Sequence, residues 1–234
     1  MNIEEFKTEL SKININITNE QLKQLEKYYE LLIEWNEKIN LTRITKKEDV
    51  YLKHFYDSAT INKVIDLNKI ETLCDFGTGA GFPGLVIKIL FPNIDITLVD
   101  SLNKRITFLN EVITKLGLKK ITAIHSRIED FGKIHREKYD LVTARAVAPL
   151  NILLEYAIPM VKVNKYFLAM KANIDEELKL SENASKKMKA ELIEKHEFNL
   201  PYEESIRSLL LYKKTEKTEK KYPRIPNEIN KRPL

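Results

Sequence analysis

Alternating glycines that follow a carboxylate form the segment of this 234-residue chain with the clearest chemical potential. Residues 75–84, which we call the glycine loop, read DFGTGAGFPG. Glycines allow a tight turn and a close approach of ligand to backbone, because no Cβ stands in the way. The pattern predicts a cofactor-binding loop between a strand and a helix.

Two cofactor classes fit the glycine loop. Gly79, Gly81 and Gly84 match the dinucleotide pattern G-x-G-x-x-G, which is a weak signal by itself. Counted from Asp75, the loop also has an acid followed by Gly77, Gly79 and Gly81, an arrangement typical of enzymes that use S-adenosylmethionine (AdoMet). AdoMet has no pyrophosphate to place on a helix N-terminus, but its amino-acid end is cationic. Asp75 can attract that end directly or through water.

Residues at the ends of the next two predicted strands complete the expected cofactor site. Asp100 ends the second strand, where a carboxylate can accept hydrogen bonds from both hydroxyls of a ribose. Ile128 and Glu129 follow the third strand and are predicted to contact an adenine ring and its exocyclic amine. The alternative for Glu129 is a purely structural place at a helix N-terminus, where the helix dipole favours an acid.

An arginine among small residues follows the fourth predicted strand. Arg145 lies between Ala144 and Ala146 and is expected to pair with a cofactor carboxylate or a substrate phosphate. The loop lacks the Asn/Asp-Pro-Pro-aromatic sequence common in adenine amino methylation, and the single cysteine, Cys74, lies inside the first strand rather than where a nucleophile would stand. The expected acceptor therefore has a lone pair already available, such as guanine N7 or a sugar hydroxyl.

Short strands and amphipathic helices alternate from residue 71 onward and would position these residues. Such alternation predicts an α/β fold with a mostly parallel sheet, and the last two strands should pair antiparallel at one edge. Helices are predicted over Gly84–Phe91 and Leu102–Leu116, with Gly117 as a left-handed cap. The predicted strands are Glu71–Phe76, Asp95–Asp100, Ile121–Ser126, Tyr139–Ala144, Tyr166–Ala172, Glu197–Tyr202 and Arg207–Lys213.

The first 65 residues show helical spacing and no strand pattern. Thr18 and Thr45 are each followed three positions later by Gln21 and Glu48, so each predicts a capping box at a helix start. The apolar stripe predicted for the first of these helices comprises Leu22, Leu25, Tyr29, Leu32 and Trp35.

Composition is that of an ordinary globular chain, with 43% hydrophobic and 31% charged residues. One cysteine, no secretory signal and no apolar run near the roughly 18 residues of a membrane span predict a cytoplasmic protein. The net charge of +5 arises entirely in residues 213–234, because basic and acidic residues balance elsewhere. A basic, extended tail suggests an anionic partner such as nucleic acid, and a solvated tail without a partner is the alternative.

Taken together, these motifs resemble the glucose-inhibited division protein B family. The resemblance covers nearly the whole chain and implies a class I AdoMet-dependent methyltransferase fold, Rossmann-like, with a seven-stranded mostly parallel sheet and an N-terminal helical extension. The segments that carry it are Asp75–Gly84, Asp100–Arg105, Ser126–Glu129, Ala144–Ala146, Trp35-Asn36, Asn40–Thr42, His54–Ser58, Lys221–Arg224 and Lys231–Leu234.

The resemblance also implies a reaction. The family transfers a methyl group from AdoMet, leaving S-adenosylhomocysteine, to N7 of a guanine in 16S ribosomal RNA, namely guanine 527 of the 530 loop. It implies 16S rRNA or the small ribosomal subunit as partner, with no membrane and no metal, and a monomer is expected. Two other hypotheses are an RNA-binding ribosome-assembly factor without catalysis and an NAD-dependent oxidoreductase.

Site residues follow from the resemblance by position. Arg145 and Lys171 are the candidates near the methyl acceptor, although the family often has glycine where Ala172 follows the lysine. His54 and Asp57 either join the extension to the main domain or contact RNA. The implied AdoMet contacts are Gly77, Phe82, Ile128, Glu129 and Arg145, beside Asp75, Gly79, Gly81 and Asp100 from the loop pattern. The implied regions are a helical extension over 1–65, a methyltransferase domain over 66–213 and a basic tail over 214–234.

Overall fold

A seven-stranded sheet forms the centre of the molecule in a computed structural model, which describes residues 1–172 and 174–234. The strand order is β3-β2-β1-β4-β5-β7-β6. Strands β1 to β5 are parallel, and β7 pairs antiparallel with both β5 and β6, so the predicted mostly parallel sheet with an antiparallel pair at one edge is confirmed. The strands are β1 (Thr72–Phe76), β2 (Asp95–Asp100), β3 (Ile121–His125), β4 (Tyr139–Arg145), β5 (Val161–Lys171), β6 (Ala190–Asn199) and β7 (Ile206–Lys214).

The order of strands reverses beside β1, which lies between β2 and β4. From β1 the chain moves outward through β2 to β3 and then returns to β4 on the other side. Loops at the carboxyl ends of β1 and β4 therefore diverge and leave a crevice. In open α/β sheets such a crevice is where ligands bind.

Two strands begin or end more than one residue away from their predicted positions. Strand β6 was predicted over Glu197–Tyr202 but runs over Ala190–Asn199, since the amide of Leu200 donates to the carbonyl of Ser205 and closes a turn there. Its exposed glutamates and lysines obscure the strand pattern, as is common for an edge strand. Strand β5 begins at Val161 rather than Tyr166. Its first five residues pair irregularly with β4 and include three polar side chains, which hide the strand pattern in the sequence.

Helices cover both faces of the sheet. The two predicted helices that follow β1 and β2 are confirmed to within one residue at each end, and Gly117 has the left-handed φ of +62° expected of a cap. In chain order after the extension, the helices are α5 (Gly84–Leu90), α6 (Asn103–Lys115), α7 (Ile128–Ile134), α8 (Leu150–Ala157), α9 (Asp175–Met188) and α10 (Pro226–Lys231).

The N-terminal extension is helical as predicted, and its core is continuous with the face of the sheet that α5 and α6 cover. The capping box of Thr18 and Gln21 is confirmed, but that of Thr45 is wrong, because the helix begins at Lys47 with no side-chain cap. The extension comprises α1 (Ile3–Lys12), α2 (Asn19–Ile39), α3 (Lys47–Val50), a π-helical turn (Tyr51–Tyr56) and α4 (Asp57–Ala59).

The buried stripe of α2 is shifted by one residue at its centre. Tyr28 is fully buried, whereas the predicted Tyr29 is half-buried at the surface. The helix contacts both α5 and α6, so its buried face is set by packing against these two helices rather than by hydropathy alone.

The C-terminal segment is packed against the rest of the protein, and the prediction of an extended tail is wrong. Tyr222, Ile229 and Leu234 are buried in the core on the face of the sheet that α7, α8 and α9 cover. The buried Lys214 ammonium donates to two backbone carbonyls, and Arg224 pairs with the buried Glu155 at 2.7 Å. Apolar residues scattered among lysines conceal this packing in the sequence. Across residues 1–172 and 174–234, no helix has the length and apolar character to cross a membrane.

Candidate functional site

The glycine loop connects β1 to α5 and adopts a backbone that few other residues tolerate. Gly77, Gly79 and Gly81 have φ angles of +63°, +61° and +100°. A Cβ at Gly77 would lie 2.6 Å from a methyl group of Val147, and one at Gly81 would lie 2.4 Å from a methyl group of Leu85. At Gly79 the nearest atom would be 4.0 Å away, so this position faces open space.

Asp75 supports the loop from beneath. Its Oδ2 accepts hydrogen bonds from the Thr78 hydroxyl at 2.7 Å and from the Gly84 amide at 2.8 Å. Its Oδ1 is buried and has no hydrogen-bond partner among the residues that the structure describes, and burial raises the pKa of this carboxyl from 3.8 to about 7. An unpaired, fully buried carboxylate oxygen is costly unless a cation or donor approaches it. In this structure Asp75 therefore supports the loop rather than facing a ligand.

Asp100 connects the glycine loop to the strand beside it. Its carboxylate accepts from the Gly79 amide at 2.9 Å and from the Leu102 amide at 2.9 Å. Arg105 pairs with it at 3.1 Å. The carboxylate is almost fully buried, yet it borders the crevice at the carboxyl end of β2.

A cavity of about 210 Å³, the small cavity, lies at the carboxyl ends of β1, β2 and β3. It brings together four predicted cofactor residues, namely Gly77, Asp100, Ile128 and Glu129. The predicted acid and glycine turn therefore face the residues after β3 across one crevice. The remaining lining residues are Phe76, Val99, Ser101, Ser126, Arg127 and Val147.

The other predicted cofactor residues lie outside the small cavity. Asp75 and Gly81 are buried within the loop, and Gly79 is partly exposed. The Phe82 ring is buried and stacks on His54 at a centroid distance of 4.3 Å, so its side chain faces the extension. Arg145 also points away from the small cavity.

A larger cavity of about 540 Å³, the large cavity, lies on the other side of the β4–α8 loop (residues 146–149). The extension, β4, β5, α9 and β7 all contribute to its walls. Both predicted acceptor-side residues, Arg145 and Lys171, line it. The other lining residues are Ile44, Lys53, His54, Asp57, Ala146, Met170, Ala172, Glu177, Arg207, Ser208 and Leu209.

Asp57 holds two arginines in the wall of the large cavity. Its Oδ2 accepts from Arg145 at 3.1 Å, and its Oδ1 accepts from Arg207 at 3.1 Å. The Arg145 guanidinium also lies 5.1 Å above the Phe82 ring. Asp57 therefore joins the extension to β4 and β7 and sets the position of two cations at once.

His54 is a neutral acceptor in the same wall. Its Nδ1 lies 3.2 Å from the Arg145 guanidinium, and its Nε2 lies 2.9 Å from the Thr42 hydroxyl. Burial, and then the charge of Arg145, lowers the pKa of His54 from 6.5 to about 3. The arginine donates to Nδ1, and the uncharged ring can donate from Nε2 to Thr42.

Lys171 ties the β4–α8 loop to α9. Its ammonium donates to the Ala148 carbonyl at 2.7 Å and pairs with Glu177 at 2.7 Å. Its side chain is only 10% exposed, so the charge stands in the wall rather than in the opening.

Arg207 and Tyr28 belong to this region but were not predicted. Arg207 lies in β7, which is the last strand in the chain but is placed beside β5 by the sheet order. Tyr28 donates a hydrogen bond to the Ala80 carbonyl in the glycine loop from a helix far earlier in the chain. No local motif marks either residue. For Tyr28, the one available signal in the sequence was a polar hydroxyl on an otherwise apolar helix face.

A solved structure with a similar fold is named as a methyltransferase but is distant in sequence. The chain matches a SAM dependent methyltransferase from Aquifex aeolicus with a TM-score of 0.54, at 17% identity over 71% of this chain and 93% of that one. At that identity the likeness establishes the fold, a class I AdoMet-dependent methyltransferase fold, and confirms the predicted class.

Much closer relatives match the whole chain. The chain is 53% identical to Ribosomal RNA small subunit methyltransferase G of Bacillus velezensis and 52% identical to that of Bacillus subtilis. Each match covers 100% of this chain and 99% of the relative. The family model described as rRNA small subunit methyltransferase G matches residues 21–206. This chain therefore belongs to the GidB family of rRNA small subunit methyltransferases G.

Proposed function

We propose that the chain transfers a methyl group from AdoMet to N7 of a guanine in 16S ribosomal RNA. The observation that carries the proposal is the pair of cavities on either side of the β4–α8 loop. Val147 of this loop lines the small cavity, while the neighbouring Ala146 lines the large one. A donor bound in the small cavity and an acceptor bound in the large cavity would therefore both border this loop.

The small cavity suits the adenosine part of AdoMet. Asp100 offers carboxylate oxygens for the ribose hydroxyls, Ile128 an apolar surface for the adenine, and Glu129 a carboxylate for its amine. Gly79 leaves space above the loop for the amino-acid end, and Asp75 is proposed to act on that end only through the loop that it supports. Phe82 would contribute only through its backbone, because its ring faces the extension.

The large cavity suits a nucleotide of the RNA. Its volume of about 540 Å³ is ample for a purine base. Arg145 and Arg207 lie at its wall, with planar guanidinium groups suited to phosphate or to the acceptor edge of guanine. Arg145 is thus proposed on the acceptor side rather than at the cofactor carboxylate, and Lys171 as the residue that fixes the loop between the two sites.

The residues in the large cavity match a reaction without proton transfer. AdoMet supplies a methyl group made electrophilic by its sulfonium. Transfer to N7 forms one nitrogen–carbon bond, breaks one sulfur–carbon bond and leaves the positive charge on the guanine, so no proton leaves. His54 is neutral with Nδ1 bonded to Arg145, and Asp57 is paired with two arginines. Their proposed role is to orient the acceptor, and the rate acceleration would arise from this orientation.

The test uses small ribosomal subunits, and their 16S rRNA, from a strain that lacks this modification. The purified chain and AdoMet are expected to create a site cleaved by borohydride and aniline, the signature of 7-methylguanine. A Gly79→Trp variant is the matched control, since the side chain would fill the open space above the loop and block the cofactor. Methylation at another atom, or none by a folded wild-type chain that binds AdoMet, would contradict the proposal.

We also infer that the protein acts as a monomer in the cytoplasm and uses regions 1–65 and 66–213 jointly. Ribosomal RNA is its proposed substrate, and its single cysteine is buried and reduced. Asp57 of the extension and Arg207 of the main domain belong to one cavity wall, so neither region would hold the RNA alone.

A further inference from the structure

One side chain of the extension donates a hydrogen bond to the backbone of the glycine loop. Tyr28 of α2 is fully buried, and its hydroxyl donates a hydrogen bond to the carbonyl oxygen of Ala80. Its ring packs against Phe55 and Phe82 at centroid distances of 5.4 and 5.6 Å. The aromatic contacts fix the ring, and therefore the place at which the hydroxyl meets the loop.

The peptide group between Ala80 and Gly81 needs such a fixed partner. Gly81 has a φ of +100°, and a glycine permits rotations of the adjoining peptide that a Cβ would forbid. The amide of this peptide donates to the Thr78 carbonyl at 2.9 Å, while its carbonyl is directed at Tyr28. Without the hydroxyl, that buried carbonyl would have to turn toward another donor.

We propose that Tyr28 is a positioning residue for the cofactor, which it never touches. By holding the Ala80 carbonyl inward, it maintains the turn in which Gly79 is open and its amide bonds to Asp100. The helical extension is then a component of the cofactor site as well as of the RNA-binding wall. This inference rests on the proposed use of AdoMet.

The hydroxyl is what distinguishes this position from an ordinary core residue. A phenylalanine would fill the same volume and keep both ring contacts, and a buried hydroxyl is unfavourable unless it is bonded. Burial also raises the pKa of Tyr28 well above its usual value of 10, so it remains a donor throughout the physiological range.

Tyr28→Phe in the full-length chain is the test, and Tyr29→Phe is its matched control. Tyr29 is the next residue of the same helix, and its hydroxyl donates to the Thr45 carbonyl at 3.1 Å near the surface. Calorimetric titration with S-adenosylhomocysteine is expected to show about tenfold weaker binding for Tyr28→Phe, the effect of one lost hydrogen bond. Binding by Tyr29→Phe should stay within about twofold of wild type.

Kinetics and thermal melting separate positioning from mere stability. If Tyr28 positions the loop, KM for AdoMet rises about tenfold while kcat at saturating AdoMet changes by less than about twofold. A lower Tm for Tyr28→Phe with unchanged S-adenosylhomocysteine affinity would overturn the inference. If the wild-type chain itself fails to bind that ligand, the proposed function is overturned, and this inference with it.

A measurement on the wild-type chain covers the case in which Tyr28→Phe does not fold. Hydrogen exchange is recorded with and without S-adenosylhomocysteine. Slower exchange of amides around Tyr28 in α2 on ligand binding is expected, because the loop and the helix share a hydrogen bond. Protection confined to the glycine loop, with none in α2, would overturn the inference.

Discussion

At the scale of single residues, the three glycines of the glycine loop are not equivalent. All three have positive φ, but only Gly79 has open space where a side chain would stand. Gly79→Ala should fold with a stability loss of about 1–2 kcal/mol from its left-handed backbone and should bind S-adenosylhomocysteine more weakly. Gly81→Ala meets Leu85 and should lose about 2–4 kcal/mol of stability.

Chemical denaturation and calorimetry on the two variants check this prediction. The informative comparison is between loss of stability and loss of ligand affinity. Equal destabilisation of Gly79→Ala and Gly81→Ala would contradict the difference in space that the structure assigns to them.

Asp75 makes the stability of the ligand-free protein depend on pH. Burial raises its pKa from 3.8 to about 7, so between these values the folded protein keeps a proton that the unfolded chain has lost. This contribution to stability is complete below about pH 4 and is lost as pH rises through 7, with an upper limit on the order of 4 kcal/mol. An Asp75→Asn variant should lack this fall.

Thermal melts of wild type and Asp75→Asn from pH 5 to pH 8 provide the measurement. The difference in slope between the two proteins isolates Asp75 from the other titrating groups. Parallel slopes without ligand would show that Asp75 does not carry the shift.

At the scale of elements, the β4–α8 loop separates the two cavities, and Lys171 at the end of β5 holds it. Replacing Lys171 with methionine removes the donor to Ala148 and the ion pair with Glu177 while preserving most of the apolar stem. Methyl transfer should fall at least about tenfold, because the loop no longer holds donor and acceptor in line.

Single-turnover methylation of small subunits measures this effect. Lys162→Met is the control, since Lys162 lies near the opposite end of β5 and Asp140 keeps a second partner in Lys165. The control should methylate as wild type does. Lys171→Met with a wild-type single-turnover rate would mean that the loop is held by its own backbone.

At the scale of the whole molecule, the C-terminal segment is part of the fold rather than a free arm. Deleting residues 214–234 removes buried Tyr222, Ile229 and Leu234 and leaves Glu155 without Arg224. Unpairing a buried charge alone costs about 3–5 kcal/mol, so the truncated chain should be largely unfolded or aggregated. Circular dichroism and size-exclusion chromatography of the truncated chain measure this.

The role of the exposed charges of the same segment can be tested without unfolding the protein. A Lys217→Gln and Lys220→Gln double variant keeps every buried contact, and its melting temperature should match wild type. If these lysines meet RNA, the salt dependence of RNA binding should decrease by up to about two released counterions. An unchanged slope would assign the RNA contact to the large cavity and its surroundings. For the deletion of residues 214–234, a stable, folded product would contradict the packing of the C-terminal segment.

Local sequence determined the secondary-structure elements and motifs of this protein. These are the alternating strands and helices, the glycine loop, and the acids at the strand ends. These features depend on residue type and short spacing, which is why four of the predicted cofactor residues line one cavity. Arg145 and Lys171 were likewise predicted together, and both line the large cavity.

Only the tertiary structure decided which distant residues meet. The order of strands brings Arg207 beside Asp57, and the packing of α2 against α5 and α6 places Tyr28, not Tyr29, in contact with the glycine loop. The tertiary structure also directs Arg145 toward the extension and folds the lysine-rich tail against α8. Such contacts depend on the packing angles of whole elements, and a one-residue change in the buried face has almost no signature in hydropathy.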